Sequence, residues 1–165
     1  MSRLRQFQLV AAVLLILSVS SCGFALRGTA NLPAALQTLQ LASVDPTSDL
    51  LREVSRALRS NGVTVVDTDQ TPYRLGLGRE NSTERTLSVN SNARAGEYEL
   101  ELSVLFQLTQ SGSTVLGPET LSLTRVYLTD PENAVAKDEE AELIRQEMRR
   151  ELAQQILRRL QAANL

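Results

Sequence analysis

The segment from Tyr98 to Leu108 constrains the fold most, because apolar and polar side chains alternate along it with Leu105 as the one exception. Such alternation is typical of a strand with one buried face and one face in water, as in antiparallel sheets. Turn-forming residues follow at 110–113, and Val115–Leu128 is the predicted hairpin partner. Because Pro118 cannot donate to a strand ladder, we expect an edge position or a bulge near the start of that partner.

Two segments have the apolar spacing of amphipathic helices. In the first, apolar residues recur from Leu50 to Leu58, with Asp45-Pro46 as the expected helix start and Asn61-Gly62 as the expected stop. The second follows Asp130-Pro131, and along it acidic residues precede basic ones, the order that the helix dipole favours. The apolar positions of the second helix lie three or four residues apart: Ala141, Ile144, Met148, Leu152, Ile156 and Leu160.

Shorter apolar runs predict the remaining strands, at 36–41 and 73–77; 63–66 is a short β-branched run, and 80–85 is either a strand extension or a loop. We therefore predict an α+β fold, in which two amphipathic helices pack on one face of a four-stranded, mostly antiparallel sheet in the order β-α-β-β-β-α. The chain has 165 residues, a length that favours one domain. We assign that domain to residues 34–165.

The N-terminal region has the pattern of a bacterial lipoprotein signal. Arg3 and Arg5 precede the apolar run Leu9–Leu17, which is too short to span a bilayer, and Val19-Ser20-Ser21-Cys22 resembles a lipobox. We expect residues 1–21 to be a signal peptide, Cys22 to be lipidated, and 22–33 to be the lipidated N-terminus and tether. The alternative is an ordinary signal peptide that leaves Cys22, the one cysteine, as a buried or free thiol. Gly23 favours the outer membrane over retention at the inner membrane.

The composition argues against several kinds of chemistry. The chain has no histidine, which excludes Ser-His-Asp and Cys-His catalysis and every His-containing metal site. Acidic residues cluster at 138–142, but acids near a helix N-terminus are usually a solvated face. The net charge of −2 and the secretion signal disfavour nucleic-acid binding. We therefore predict no catalytic residue, no metal, no cofactor and no enzymatic activity.

One stretch of the chain is locally basic, since it contains four arginines and only two acids, Glu80 and Glu84. Arginine side chains suit phosphate recognition because their planar forks donate to two oxygens at once. This stretch predicts either an anionic-ligand site or solubilising charges on an exposed strand pair. The four arginines are Arg74, Arg79, Arg85 and Arg94.

Four segments of the chain together resemble the LptE family of lipopolysaccharide-assembly lipoproteins. They are the start Cys22–Gly28 (CGFALRG), the helix at 50–62, the segment Ala95–Tyr98 entering the alternating strand, and Ala134–Glu140 (AVAKDEE) opening the last helix. The resemblance implies two helices on a four-stranded sheet. It also implies a role as partner and plug of LptD, the outer-membrane β-barrel that inserts lipopolysaccharide, together with lipopolysaccharide binding and help in barrel assembly.

The resemblance also implies basic ligand-binding residues near the tip of the sheet and at the start of the last helix. Lys137, the only lysine, matches the second position. The first falls near Ser91, which is not basic, so that Arg94 or Arg85 would have to substitute. We therefore expect Lys137, Arg94 and Arg85 to bind lipopolysaccharide phosphates. For Lys137 the alternative is an exposed residue paired with Glu140.

These features predict a lipoprotein of the cell outer membrane, held by its N-terminal lipid and facing the periplasm. Its expected partners are the LptD barrel and lipopolysaccharide. Two other functions stay open. One is a free-standing periplasmic lipid binder with a cavity lined by Leu75, Leu100 and Phe106. The other is an accessory of a different envelope-assembly machine.

Overall fold

The computed structural model describes residues 32–68, 71–89, 95–128, 134–163 and 165. A short 3₁₀ turn at Ala34–Leu36 precedes the first strand. In chain order the described elements are β1 (Thr38–Ser43), α1 (Asp49–Ser60), β2 (Thr64–Val66), β3 (Tyr73–Leu77), β4 (Asn81–Val89), β5 (Ala95–Gln110), β6 (Ser113–Leu128) and α2 (Ala134–Gln161).

The strands form one sheet in the order β2-β1-β3-β5-β4, with β6 on the other edge of β5. Strand β1 runs parallel to β2 and β3, whereas β5 is antiparallel to β3, β4 and β6. The described sheet thus has six strands rather than the predicted four. There are two reasons for the difference. Strands β3 and β4 lie end to end along the same edge of β5, as one interrupted strand, and the three residues of β2 form a separate short strand. The polar stretch 80–85 is the predicted strand extension, with its regular part starting at Asn81.

Both helices pack on one face of the sheet, as predicted, and the core lies between them and the inward side chains of the strands. Leu100, Leu102, Val104, Phe106 and Leu108 are each at most 1% exposed, which confirms the alternation read along β5. The expected apolar face of α2 is buried as well, with Ile144 partly so. Within the described part of the chain, neither helix is both long and apolar enough to cross a bilayer.

The start of α1 differs from the prediction, since the helix begins at Asp49 and not after Asp45-Pro46. The Asp45 carboxylate instead accepts bonds from the backbone N–H and the hydroxyl of Thr47, at 3.0 and 2.8 Å. Asp side chains that bond the chain two residues ahead stabilise a turn in competition with a helix. These same bonds hold the pKa of Asp45 below its usual value. The predicted start of α2 at Asp130-Pro131 lies outside the described residues.

The predicted stop of α1 is confirmed. Gly62 has φ +81° and donates to the carbonyl of Arg59 at 3.1 Å, while Val63 donates to the carbonyl of Leu58 at 3.1 Å. These two bonds are the 5→2 and 6→1 pair of a Schellman motif, which satisfies carbonyls that the helix end leaves open. Pro118 also lies where expected, on an edge strand whose pairing with β5 shifts register between Phe106 and Leu108.

Arg149 of α2 joins three parts of the domain. Arg149 is only 9% exposed. Its Nε donates to Glu80, which lies in the break between β3 and β4, at 3.0 Å. Its Nη1 donates to Glu142 at 2.9 Å and lies 3.6 Å from the carboxylate of Asp49 at the start of α1. Burial opposes the charge, but the bonds with Glu142 and Glu80 outweigh it and raise the pKa of Arg149. The guanidinium therefore stays charged inside the fold.

We expect Arg149→Ala to lower the free energy of unfolding by about 3 kcal/mol, because removing one partner of a buried ion pair leaves the other charge uncompensated. Arg150→Ala is the matched control, since the neighbouring arginine is exposed and a surface substitution changes stability by roughly 0.5 kcal/mol or less. Urea unfolding followed by circular dichroism measures both values. Equal effects of the two variants would contradict a structural role for the Arg149 contacts.

Candidate functional site

Lys137 lies in the first turn of α2, against strands β4 and β5. Its Nζ is 2.7 Å from Oε1 of Glu84 and 3.9 Å from the centroid of the Tyr98 ring. An ammonium over an aromatic face is attracted by the negative π-face of the ring. The bond with Glu84 raises the pKa of Lys137 above its usual value. Lys137 is therefore held charged by a carboxylate on one side and a tyrosine ring on the other.

Arg145 approaches the same carboxylate from further along α2. Its Nη2 donates to Oε2 of Glu84 at 3.2 Å, and its Nη1 lies 3.6 Å from Glu142. Residues eight apart lie on the same side of an α-helix, two turns from each other. The side chains of Lys137, Arg145 and Glu84 are each about a quarter exposed, at 25, 24 and 25%. One half-buried carboxylate thus accepts bonds from two cations, one on each oxygen.

Two tyrosines form the floor beside this carboxylate. Tyr98 and Tyr127 are direct partners across β5 and β6, and their rings stack with centroids 5.5 Å apart. Tyr127 is 5% exposed, and within the described residues its hydroxyl has no hydrogen-bond partner. Burial raises the pKa of Tyr127 to about 12, and the negative charge of Glu84 adds to the rise. We call the group of Glu84, Tyr98, Tyr127, Lys137 and Arg145 the Glu84 cluster.

The strand register explains why a carboxylate points toward the helices. Glu84 pairs with Leu100 and Thr86 pairs with Tyr98, so Glu84 shares the helix-facing side with the apolar row of β5. Sequence reasoning missed Glu84, Arg145 and the two tyrosines as site residues. The stretch 80–85 is polar throughout and has no alternation from which to assign faces. The available signal was the spacing of Lys137 and Arg145 on one side of α2.

The structure separates two of the sequence-predicted ligand residues. Because successive side chains of a strand alternate in direction, Arg85 lies on the side of the sheet opposite to Glu84 and Lys137. There its Nε donates to Glu99 at 2.5 Å, which raises the pKa of Arg85 and lowers that of Glu99. Lys137 pairs with Glu84 and not with Glu140, the partner expected from helical spacing. Arg94 and Cys22 lie outside the described residues.

The Glu84 cluster lies at the end of the sheet away from the first described residues. Thr38 and Thr64 pair near the start of β1, and Tyr73 pairs with Gln110, so the chain enters the domain beside the C-terminal end of β5. Tyr98 is near the other end of β5, roughly 40 Å along the strand from Gln110 at about 3.4 Å per residue. Anything attached to the N-terminal segment therefore joins the domain far from the cluster.

The chain matches the family model described as LptE, Lipopolysaccharide-assembly, over residues 36–160. The LPS-assembly lipoprotein LptE of Pectobacterium atrosepticum is 38% identical over 164 residues, which cover 98% of this chain and 88% of that protein. The resemblance inferred from the sequence is confirmed by these matches.

Two solved structures share the fold. The crystal structure of rare lipoprotein B from Shewanella oneidensis has a TM-score of 0.66 at 36% identity, and covers 73% of this chain and 91% of its own. The crystal structure of a minor lipoprotein from Acinetobacter baumannii has a TM-score of 0.65 at 26% identity, and the match covers 79% of this chain and 94% of that one. The α+β prediction of two helices on a sheet is therefore confirmed, with the corrected strand count given above.

The pKa of Tyr127 predicts how stability changes in alkali. Below its ordinary value of 10.0 the phenol is neutral in the folded and the unfolded chain, whereas between 10 and about 12 the unfolded chain loses the proton and the folded chain keeps it. The free energy of unfolding should therefore fall over that range. Tyr127→Phe should remove this part of the fall, and at pH 8 it should be as stable as the unsubstituted protein or more so.

Urea midpoints at pH 8 and pH 11 measure the effect. Tyr73→Phe is the control, because that buried tyrosine lies at the opposite end of the sheet and should leave the alkaline fall due to Tyr127 in place. An identical alkaline loss in Tyr127→Phe and the unsubstituted protein would refute the assignment.

Proposed function

Because the chain belongs to the LptE family of lipopolysaccharide-assembly proteins, we propose that it is an outer-membrane lipoprotein that acts as partner and plug of the LptD barrel and binds lipopolysaccharide. The observation that carries the proposal is the family match at 36–160, which includes α1, every described strand and all of α2 but its last residue. The family's description names assembly, and the family is non-enzymatic, as the composition of the chain predicted.

The proposed anchor is lipid on Cys22, with signal peptide 1–21 removed and 22–33 as the tether. It is supported by the lipobox-like Val-Ser-Ser-Cys and by the relatives' description as lipoproteins. More than one acyl chain is needed for stable anchoring, which the multi-acyl anchor of bacterial lipoproteins supplies. An anchor joined through Leu32 enters the domain at the end opposite to the Glu84 cluster.

The proposed plug role is supported by the shape of the sheet's two faces. Helices cover one face. The other carries polar and small side chains together with the exposed Leu105 and Val126, and has a groove of about 460 Å³ beside Gly76, Gly78 and Leu105. A domain with one helical and one open side offers two different surfaces to the wall of a wide barrel, and large barrels with plugged lumens are known.

The proposed lipopolysaccharide contact centres on Lys137. Its ammonium lies on an aromatic ring at a partly exposed position, so a phosphate oxygen can reach it while the ring holds it in place. Arg94 and Arg85 remain proposed contacts. Arg85 would act from the other face of the sheet, so a ligand could not engage Lys137 and Arg85 from the same side.

The two alternative functions gain no support. Leu75, Leu100 and Phe106, the residues expected to line a lipid cavity, are at most 1% exposed and belong to the core between sheet and helices. None of the relatives named above is described as an accessory of another envelope-assembly machine.

Co-purification tests the plug. The full-length lipoprotein, tagged at its C-terminus and extracted from the outer membrane in mild detergent, should bring down one large barrel protein in equal molar amount. Mass spectrometry of the same sample should find acyl chains on Cys22. Recovery of the lipoprotein alone, under conditions that keep other barrel complexes intact, would refute the partnership.

Lipopolysaccharide binding is tested by Lys137→Gln in the full-length lipoprotein in detergent. We expect roughly tenfold weaker binding, because a charge-assisted hydrogen bond contributes about 1.5 kcal/mol. Arg85→Gln is the matched variant on the opposite face. A loss with Lys137→Gln alone assigns the phosphate to the helix face, a loss with Arg85→Gln alone assigns it to the open face, and no loss with either would refute both contacts.

A further inference from the structure

The Glu84 cluster has more cationic donors than its one carboxylate needs. Lys137 and Arg145 each contact a different oxygen of Glu84, so two positive charges share one negative charge. Arg145 also lies 3.6 Å from Glu142, but the carboxylate of Glu142 is nearer to Arg149, at 2.9 Å. Among the groups in direct contact with Glu84, two cations therefore face one carboxylate, an arrangement that an anion with more charge than a carboxylate would also fit.

Tyr127 adds an unused donor to the same place. Its hydroxyl lies near the charges of Glu84, Lys137 and Arg145, and Glu84 raises the pKa of Tyr127 both by its charge and as a nearby acceptor. Within the described residues the hydroxyl nevertheless makes no hydrogen bond of good geometry. Leaving a buried donor without a partner is unfavourable, because the group has lost its hydrogen bonds to water. A buried and unpartnered hydroxyl beside two cations indicates a position that a further acceptor oxygen can fill.

A phosphate group matches this set of donors better than Glu84 does. A carboxylate has two oxygens, whereas a phosphomonoester has three terminal oxygens and a charge of roughly −1.5 to −2 near pH 7. It can accept from Lys137, from Arg145 and from the Tyr127 hydroxyl at the same time. Tyr98 would continue to hold the ammonium of Lys137 from below.

Glu84 can leave without disturbing the core. It lies on β4, which ends the strand order, and about a quarter of its side chain is exposed. The pairing of β4 with β5 shifts register just beyond it, at Thr86 and Ser88. Rotation of one side chain toward solvent therefore opens the position between the two cations.

We propose that Lys137, Arg145 and the Tyr127 hydroxyl form a phosphate site that Glu84 occupies as an internal counter-anion, so that a lipid-borne phosphate binds by displacing Glu84. The inference rests on the proposed function and deepens it, because it names Arg145 and Tyr127 as further ligand contacts and Glu84 as a competitor. A tethered carboxylate excludes weakly charged anions from the site, since only a group that gains more from both cations can replace it.

The test compares lipopolysaccharide binding by full-length variants in detergent. Glu84→Gln keeps the shape and removes the charge, so binding should tighten up to roughly fivefold, the factor that corresponds to about 1 kcal/mol for a partly exposed ion pair. Glu140→Gln is the matched control. It removes the same charge from an exposed position one turn from Lys137 without contacting its ammonium, and should change affinity less than twofold. The double variant Glu84→Gln, Lys137→Gln should lose the gain.

Arg145→Gln and Tyr127→Phe test the site independently of how Glu84→Gln folds. Each should weaken binding of lipopolysaccharide, by roughly three- to tenfold, and neither should change binding of dephosphorylated lipopolysaccharide. Competition by inorganic phosphate separates a site for the free ion from one that needs the lipid-borne group. In either case the competition should depend on Lys137.

The outcomes separate this inference from the proposed function. If Lys137→Gln weakens binding but Glu84→Gln weakens it too, Glu84 positions Lys137 and does not compete, and the inference is overturned while the Lys137 contact stands. Unchanged affinity in both Arg145→Gln and Tyr127→Phe overturns the three-donor site. If none of the four single variants of the cluster changes binding, both the inference and the proposed Lys137 contact fail.

Discussion

Strand β5 is the element on which the rest of the structure depends. One of its edges pairs with β3 and β4 in succession, and the other pairs with β6 along nearly its whole length. Its inward row of apolar side chains is at most 1% exposed from Leu100 to Leu108 and forms the floor under both helices. Burial of that row fixes the register of the neighbouring strands, because a slip of one residue would turn every apolar side chain of β5 to water.

The same register decides which charges can act together. It turns Glu84 toward Lys137 and Arg145, and it turns the adjacent Arg85 toward Glu99 on the other side of the sheet. Charged side chains on the helix side lie close to the core, so each needs a partner there, and the Arg149 contacts satisfy this need further along α2. The Glu84 cluster and the Arg149 contacts together bind α2 to β4 and to the break before it. In the Glu84 cluster one carboxylate pairs with two cations. In the Arg149 contacts one guanidinium pairs with several carboxylates. This difference is why we assign the proposed anion site to the first group and a structural role to the second.

The proposed anchor and the proposed phosphate site lie toward opposite ends of β5. The N-terminal segment enters beside the C-terminal end of β5, and the Glu84 cluster lies toward the opposite end of that strand. The proposed lipid anchor and the proposed phosphate site therefore share no residues. The long β5–β6 pair connects the two ends, and the packing of α2 along it keeps Lys137 and Arg145 in fixed positions relative to the strands.

The sequence by itself determined the helices, the β5–β6 hairpin, the end of α1 at Gly62 and the family, because each of these depends on periodicity, turn chemistry or motifs that are local in the chain. It also singled out Lys137. Only the tertiary structure decided the partner of that lysine, since Glu84 is far from it in sequence and helical spacing pointed to Glu140. The tertiary structure also decided the parallel pairing of β1 with β2 and β3 and the division of one edge of β5 between β3 and β4. Strand pairing and side-chain contacts join residues that are distant in the chain, and a polar stretch such as 80–85 has no apolar side that could reveal in advance which of its residues face the helices.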